Sequence, residues 1–328
     1  MQSDATALDP DIIRQSTVPP VHVPARRKAS APKPMEPEIG LLKRMWRSIF
    51  GGPSTEPKPA ARRDAPATRS VLGGTGAVPP PRYSDDTAAD IEEIIRPATR
   101  SIGVDRRELV PADKLGFKPW TTICRLEITY ATGKRCVASG FLVHPAVVAT
   151  SAHVILHPDP SIGRATEIAV TPGFDQGPPR RRRLVSTTFR IRSGWGDPGP
   201  QGFLAANDYG AVLLSDPAAF AGFGVLEWCD PAALDLANNF AVSGYPAEKH
   251  GQWRNWNLVT EIGEVALRHV IQTTEGQSGS PLFQVKDGRV LVAGIHSRNI
   301  GDSNAARRVT DRVIGDYRAW TAEITPTA

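Results

Sequence analysis

The chain has 328 residues and a formal net charge of +5, which alone would suggest a nucleic acid or another acidic surface as its partner. However, residues 1–83 hold 13 Lys and Arg against 7 Asp and Glu, so the rest of the chain is close to neutral and we expect no specific nucleic-acid partner. Three widely spaced cysteines exclude a disulfide scaffold or a zinc site, and no stretch reaches the roughly 18 apolar residues of a transmembrane segment.

Residues 1–83 form a tail rich in Pro, Ala, Ser, Thr and Arg. Such a composition cannot bury enough apolar surface to offset its ordering entropy, so we expect this tail to be disordered. Residues 38–50 are the exception, because their apolar side chains recur at helical spacing between basic ones. This amphipathic helix would dock on a protein partner or an anionic surface, unless it is transient or packs on the globular domain.

The first thirty residues contain several Asp and Pro residues and no apolar run of signal-peptide length. We therefore expect a cytoplasmic protein in preference to a secreted one. Residues 84–100 form a linker, and within it residues 86–95 are predicted to be a short helix that ends before Pro97.

After Ser101 the pattern changes to short alternating segments separated by Gly, Pro and Asp clusters. The clearest predicted strands are residues 121–130, 140–143, 145–150, 184–191, 211–214 and 290–294, and residues 311–324 are predicted to be a C-terminal helix. Many short strands with one closing helix favour an all-β barrel fold. Cys124 and Cys136 would lie on adjacent strands of one hairpin, where they could pair, although free, half-buried thiols, like that of Cys229, are favoured.

Three segments carry side chains suited to nucleophilic catalysis. His153 follows an apolar strand and can accept a hydroxyl proton, and Asp208 precedes another strand and can orient the imidazole. Ser278 stands between Gly276 and Gly279, which permit a tight turn, and the N–H groups of Gly276 and Ser278 can converge on a developing oxyanion. Each segment alone is weak evidence, but the chain order His, Asp, Ser is that of the two-barrel β proteases.

The sequence resembles the chymotrypsin-like serine proteases, in particular the bacterial glutamyl endopeptidase branch. The segments that match are residues 101–106, 149–154, 193–195, 207–211, 242–246, 251–253, 276–281, 294–296 and 308–310. The resemblance implies a protease domain over residues 101–328, with two six-stranded antiparallel β-barrels: a first barrel to about residue 220, a second over about 221–310 and a closing helix at 311–324. It also implies a catalytic triad in the cleft between the barrels, a polypeptide substrate, no metal or other cofactor, and a monomer.

The same resemblance places the S1 pocket at Thr273 and His296, with Ser297 and Glu275 beside it. A histidine can donate a hydrogen bond to a substrate carboxylate, which predicts a preference for Glu or Asp at P1. His296 could instead merely satisfy a buried hydrogen bond. Glu275 would repel an acidic P1 residue unless its side chain points to solvent, and Arg298 could offset that charge or bind the acidic residue itself.

Gln277 bears on activation. In trypsin-like zymogens the residue before the nucleophile is an Asp, which pairs with a newly freed amino terminus, and Gln277 cannot form that ion pair. The Arg100–Ser101 junction still resembles the pro-segment boundary of glutamyl relatives, so cleavage there is one hypothesis for maturation. The alternative is a protease that is active with its tail attached.

Two further alternatives remain open. The arginine run at residues 180–183 could contact an acidic substrate or a nucleic acid, although such a run is more often a solvated loop. The whole domain could also be a protease-like fold that acts as a binding module recruited by its basic tail.

Overall fold

The computed structural model describes residues 105–324, apart from positions 176–181, 198–201, 233, 235, 237–238, 287–288 and 301–302. The predictions for the tail, the helices at 38–50 and 86–95 and the Arg100–Ser101 junction, together with part of the arginine run, therefore lie outside the described residues. The strands are β1 Glu108–Leu109, β2 Ile123–Tyr130, β3 Arg135–His144, β4 Val147–Thr150, β5 Ala165–Pro172, β6 Leu184–Ser186, β7 Thr188–Ile191, β8 Gly210–Leu213, β9 Glu227–Trp228, β10 Phe240–Gly244, β11 Trp253–Asn257, β12 Val259–Ile262, β13 Ala266–His269, β14 Pro281–Lys286, β15 Arg289–Ile300 and β16 Ser303–Arg308.

The first sheet has the strand order β6-β5-β2-β3-β4-β8-β7, and all its pairs are antiparallel. Its two outermost strands, β6 and β7, are separated only by Thr187, so the chain joins the two ends of the sheet and closes it into a barrel. The bend is made by Ser186, whose Oγ accepts a hydrogen bond from the Thr188 N–H at 3.0 Å. Counted as one bent strand, β6 and β7 give this barrel the six strands expected.

The second sheet follows the same plan. Its order is β1-β11-β10-β14-β15-β16-β13-β12, with β9 added in parallel to β15. Strands β11 and β12 are separated only by Leu258 and again connect the two ends of the closed part of the sheet. Six strands therefore form this barrel too, and the two-residue strands β1 and β9 are additions that the sequence pattern did not predict.

The described part of the chain has two α-helices, the single turn α1 (Ala152–Ile155) and the C-terminal helix α2 (Asp311–Ala322). It also has three short 3₁₀ helices, at Trp120–Thr122, Ala205–Asn207 and Ala221–Phe223. Helix α2 ends two residues before the predicted boundary. It buries Val313, Tyr317 and Trp320 on one face, at helical spacing, in a cluster shared with residues of both barrels. The Tyr317 hydroxyl donates a hydrogen bond to the Gly210 carbonyl at 2.7 Å, which fixes the start of β8.

The three cysteines are free thiols. Cys124 and Cys136 lie on adjacent strands as expected, but in register Cys124 stands opposite Gly140 and Cys136 opposite Ile128. Burial raises the pKa of all three thiols, that of Cys136 to about 11, so they are protonated at neutral pH.

Candidate active site

His153 and Asp208 are brought together by neighbouring strands. Strand β4 ends at Thr150, which pairs with Gly210 at the start of β8, so the residues just beyond these two positions are adjacent. His153 lies in α1 directly after β4, and Asp208 follows a short 3₁₀ turn before β8. Because His153 follows the end of β4 and Asp208 precedes the start of β8, the two residues lie together at one end of the first barrel.

The contact between the two side chains is direct. His153 Nδ1 lies 3.0 Å from Asp208 Oδ1 and 2.9 Å from Oδ2, and the backbone N–H of His153 donates to Oδ1 at 3.0 Å. An ionised carboxylate can only accept hydrogen bonds, so Nδ1 carries the proton and a neutral His153 keeps its lone pair on Nε2. That tautomer is the one a general base requires.

The carboxyl group of Asp208 is only 2% exposed. Burial would raise its pKa, but the positive charge of His153 and the hydrogen bonds from His153 and Ser297 outweigh burial and lower the pKa to about 2. Asp208 is therefore held ionised in a desolvated position, where its charge acts on the imidazole with little screening by water.

Ser278 stands on a turn that glycine makes feasible. Gly276 and Gly279 have φ angles of +87° and +85°, and a Cβ on Gly279 would lie 2.2 Å from the Ser139 carbonyl oxygen. Ser139, on β3 of the first barrel, fixes this turn: its N–H donates to the Ser278 carbonyl at 2.9 Å and its hydroxyl donates to the Gly276 carbonyl at 2.8 Å.

Ser297 forms hydrogen bonds with both Ser278 and Asp208. Its hydroxyl donates to Asp208 Oδ2, and its backbone carbonyl accepts a hydrogen bond from Ser278 Oγ at 3.3 Å. The structure thus joins Asp208 directly to His153 and, through Ser297, to Ser278. Sequence reasoning assigned Ser297 to the S1 pocket and missed this contact with Asp208, which no local pattern signals.

Of the residues assigned to the S1 pocket, His296 lies next to this network, because its carbonyl accepts the Gly279 N–H at 2.8 Å. His296 is 3% exposed on β15, Thr273 is buried in the segment between β13 and β14, and the Glu275 side chain is exposed. Although Glu275 is exposed overall, partial burial of its carboxyl and then the negative charge of Glu248 raise the pKa of that group.

A second histidine, which sequence reasoning missed, contacts His296. His296 Nδ1 lies 3.3 Å from His269 Nε2, and the two ring centroids are 5.3 Å apart. Burial, followed by the positive charge of His153, lowers the pKa of His296 to about 3, and burial lowers that of His269. Both rings are therefore neutral near pH 7.

Within the part of the chain that the structure describes, no group of three or more His, Cys, Asp or Glu side chains could hold a metal ion. Nor does any described helix combine the length and the apolar character needed to cross a membrane.

Comparisons of the sequence with known proteins find similarity to peptidases. Residues 138–293 match the trypsin-like peptidase domain family. A glutamyl endopeptidase of Bacillus licheniformis is 28% identical over 193 residues, which cover 56% of this chain, and the chain spans 58% of that relative's length.

Solved structures show the same fold. A Glu endopeptidase determined in complex with MPD has a TM-score of 0.56 at 21% identity, covering 67% of this chain and 98% of that protein. The protease Anisep from Arthrobacter nicotinovorans has a TM-score of 0.52 at 17% identity, covering 62% and 97%. The described part of the chain therefore has the fold of these proteases, and residues 138–293 are similar to the trypsin-like peptidase domain.

Proposed function

We propose that this protein is a serine endopeptidase in which Ser278 is the nucleophile, His153 the general base and Asp208 the residue that orients and stabilises the imidazole. The observation that carries the proposal is the contact of ionised, buried Asp208 with both the Nδ1 and the backbone N–H of His153.

The reaction follows from these positions. Rotation of the Ser278 side chain moves its hydroxyl from the Ser297 carbonyl to Nε2 of His153, which takes the proton as Oγ attacks the peptide carbonyl. The N–H groups of Gly276 and Ser278 stabilise the oxyanion. The imidazolium then protonates the leaving amine, and water hydrolyses the acyl-enzyme by the same route in reverse.

A protease-like binding module is the less favoured alternative. A binding module would not need a buried carboxylate that is kept ionised. Burying the Asp208 charge is unfavourable, and the contacts with His153 and Ser297 offset that desolvation cost.

We further propose that the S1 pocket prefers Glu or Asp at P1, with Thr273 and His296 contributing. Support comes from the burial of His296 beside the network and from the relative whose name is glutamyl endopeptidase. Because His296 is neutral in the free protein, it would bind a carboxylate first as a hydrogen-bond donor, and the bound negative charge would raise its pKa.

The test of the activity is peptide hydrolysis by wild type and by Ser278→Ala. We expect wild type alone to cleave a peptide library, and equal hydrolysis by the two would end the proposal.

Specificity is tested with paired substrates that carry Glu or Gln at P1, because the two differ only in charge and hydrogen bonding. We expect kcat/KM to favour Glu, the His296→Gln variant to lose most of that preference, and Arg298→Gln to show whether the neighbouring guanidinium contributes. Equal kcat/KM for Glu and Gln in wild type would refute the acidic preference while leaving the peptidase activity intact.

A further inference from the structure

A buried arginine near the start of the described domain is hydrogen-bonded through all five of its N–H groups. Arg107 is 8% exposed. Its Nε and Nη2 donate to the two carboxylate oxygens of Asp105 at 3.0 Å each, and Nη2 also donates to Glu248 Oε1 at 2.7 Å. Its Nη1 donates to Thr274 Oγ1 and to Gln277 Oε1, the latter at 3.3 Å.

The last two contacts reach the turn that presents the oxyanion donors. Gln277 is 1% exposed and stands between Gly276 and Ser278, whose N–H groups are those donors. Its Oε1 also accepts the Thr274 N–H at 3.0 Å, and its own N–H donates to the Thr274 carbonyl at 3.2 Å. The guanidinium of Arg107 therefore holds both ends of the short turn 274–277.

The charges around Arg107 make it a permanent cation at this position. Burial lowers its pKa, but the hydrogen bonds to Asp105 and Glu248 outweigh burial and raise it. Thr274 donates its hydroxyl proton to Glu248, at 2.8 Å from Oε1 and 2.9 Å from Oε2, and Lys249 Nζ lies 2.7 Å from Asp105. Two cations and two carboxylates thus form a charge-balanced cluster under the turn, in which Arg107 is buried and its three partners are partly exposed.

The position of Arg107 is set by backbone contacts within the domain. Strand β1, immediately after it, pairs with β11, and the Val110 N–H donates to the Gln252 carbonyl at 2.8 Å. On the other side the Arg106 N–H donates to Gln272 Oε1 at 2.6 Å. All these anchors involve residues 105–110, so none of them requires a free amino terminus.

We propose that Arg107 is a positioning residue for residues 274–278, which we call the oxyanion turn. Through Gln277 and Thr274 it orders this turn, in the role that a freed amino terminus plays in trypsin-like zymogens. The inference rests on the proposed peptidase activity and adds its regulation: the site is assembled whether or not the bond between Arg100 and Ser101 is cut. It also explains why a neutral Gln277 suffices, since its carbonyl oxygen accepts from a guanidinium where an Asp would pair with an ammonium group.

The first experiment measures KM and kcat in the full-length chain. The kcat is expressed per active site, and the active sites are counted with a serine-reactive phosphonate probe. We expect Arg107→Gln to lower kcat by about 10²–10³-fold, the loss seen when an oxyanion donor is removed, with little change in KM. Gln277→Met removes the acceptor at similar side-chain length, should lower kcat to a similar extent, and remains informative if Arg107→Gln does not fold. Arg107→Lys keeps the charge but not the forked geometry and should restore part of the activity.

Arg254→Gln is the matched control. Arg254 is a buried arginine that contacts the same N-terminal strand, through Glu108, and lies over the Trp120 ring. We expect this variant to lower the melting temperature while kcat per site stays at the wild-type value. The Arg107 inference is overturned if Arg107→Gln and Gln277→Met also retain wild-type kcat per site.

The second experiment uses the full-length Arg100→Gln variant and intact-mass spectrometry. We expect chains that still carry residues 1–100 to take up the probe and to turn over substrate at the wild-type rate. If only chains that begin at Ser101 react, the inference fails while the proposed function stands. If no preparation, cut or intact, reacts or hydrolyses peptide, the proposed function itself fails.

Discussion

Replacing Gly276 by Ala tests whether the oxyanion turn depends on glycine. The φ angle of Gly276 is +87°, a region that L-residues with a Cβ rarely adopt. A Cβ there would lie 2.5 Å from both the Ala247 nitrogen and the Tyr245 carbonyl oxygen, and 3.1 Å from the Pro246 carbonyl carbon. All three are backbone atoms, so no side-chain rotation relieves the contact.

The expected cost has two parts. The left-handed backbone costs a residue with a Cβ roughly 1–2 kcal/mol. Overpacking against fixed atoms adds about 1–3 kcal/mol, so the free energy of unfolding should fall by about 2–5 kcal/mol in all. Where the turn shifts to relieve the contact, the Gly276 N–H leaves the oxyanion position, and kcat should fall by about 10²–10³-fold.

Two other Gly→Ala variants distinguish the cost of the left-handed backbone from the cost of overpacking. The free energy of unfolding of each variant is measured by urea denaturation. Gly133 has a φ of +82° but nothing within 4 Å of its added Cβ, so Gly133→Ala should cost only the left-handed part, about 1–2 kcal/mol. Gly315 lies inside α2 with open space, and Gly315→Ala should stabilise the protein by about 0.5–1 kcal/mol. The reasoning is refuted if Gly276→Ala is no less stable than Gly133→Ala and keeps the wild-type kcat.

Three further predictions concern groups around the site. Ser297→Ala removes a donor to the buried Asp208 carboxylate and should lower the free energy of unfolding by about 1.5–3 kcal/mol; unchanged urea stability would contradict that contact. Tyr317→Phe leaves the Gly210 carbonyl without its phenol donor and should cost about 1–3 kcal/mol, whereas a neutral effect in the same assay would mean that the carbonyl finds another donor. Burial and the charge of His153 lower the pKa of His157 from 6.5 to about 4, so unfolding takes up a proton as the pH falls between these values and stability is lost. His157→Gln should flatten that decline by up to about 1.4 kcal/mol per pH unit, and an unchanged slope of unfolding free energy against pH would show that His157 is not responsible.

Local patterns predicted the strand regions of β2, β3, β4, β6 with β7, β8 and β15, because alternation and glycine punctuation are local properties, but they did not predict β5, β10–β14 or β16. They could not show that residues 184–191 divide at Thr187, because the division depends on which neighbouring strand each half pairs with. The strand-like stretch before His153 and the glycines around Ser278 likewise placed those two residues at strand ends and turns from sequence alone.

Contacts between distant segments were beyond that reasoning. His269 is 27 residues before His296, Ser297 is 89 residues after Asp208, and Arg107 is 170 residues before Gln277. Only the contact of Ser297 with Asp208 joins the two barrels, and the other two arise when strands of the second sheet assemble. No periodicity in the chain encodes any of the three. The resemblance of Ser101 and its neighbours to a processing site likewise gave no sign that an internal guanidinium stands under the oxyanion turn.

The central claim, that Ser278 is activated by His153 and Asp208, is tested most directly by locating the adduct of a serine-reactive phosphonate by peptide mapping. The probe should modify Ser278 in wild type, and its rate of reaction should fall steeply in Asp208→Asn and in His153→Ala, both of which leave the serine in place. No adduct on Ser278, or equal rates in wild type and both variants, would contradict the account.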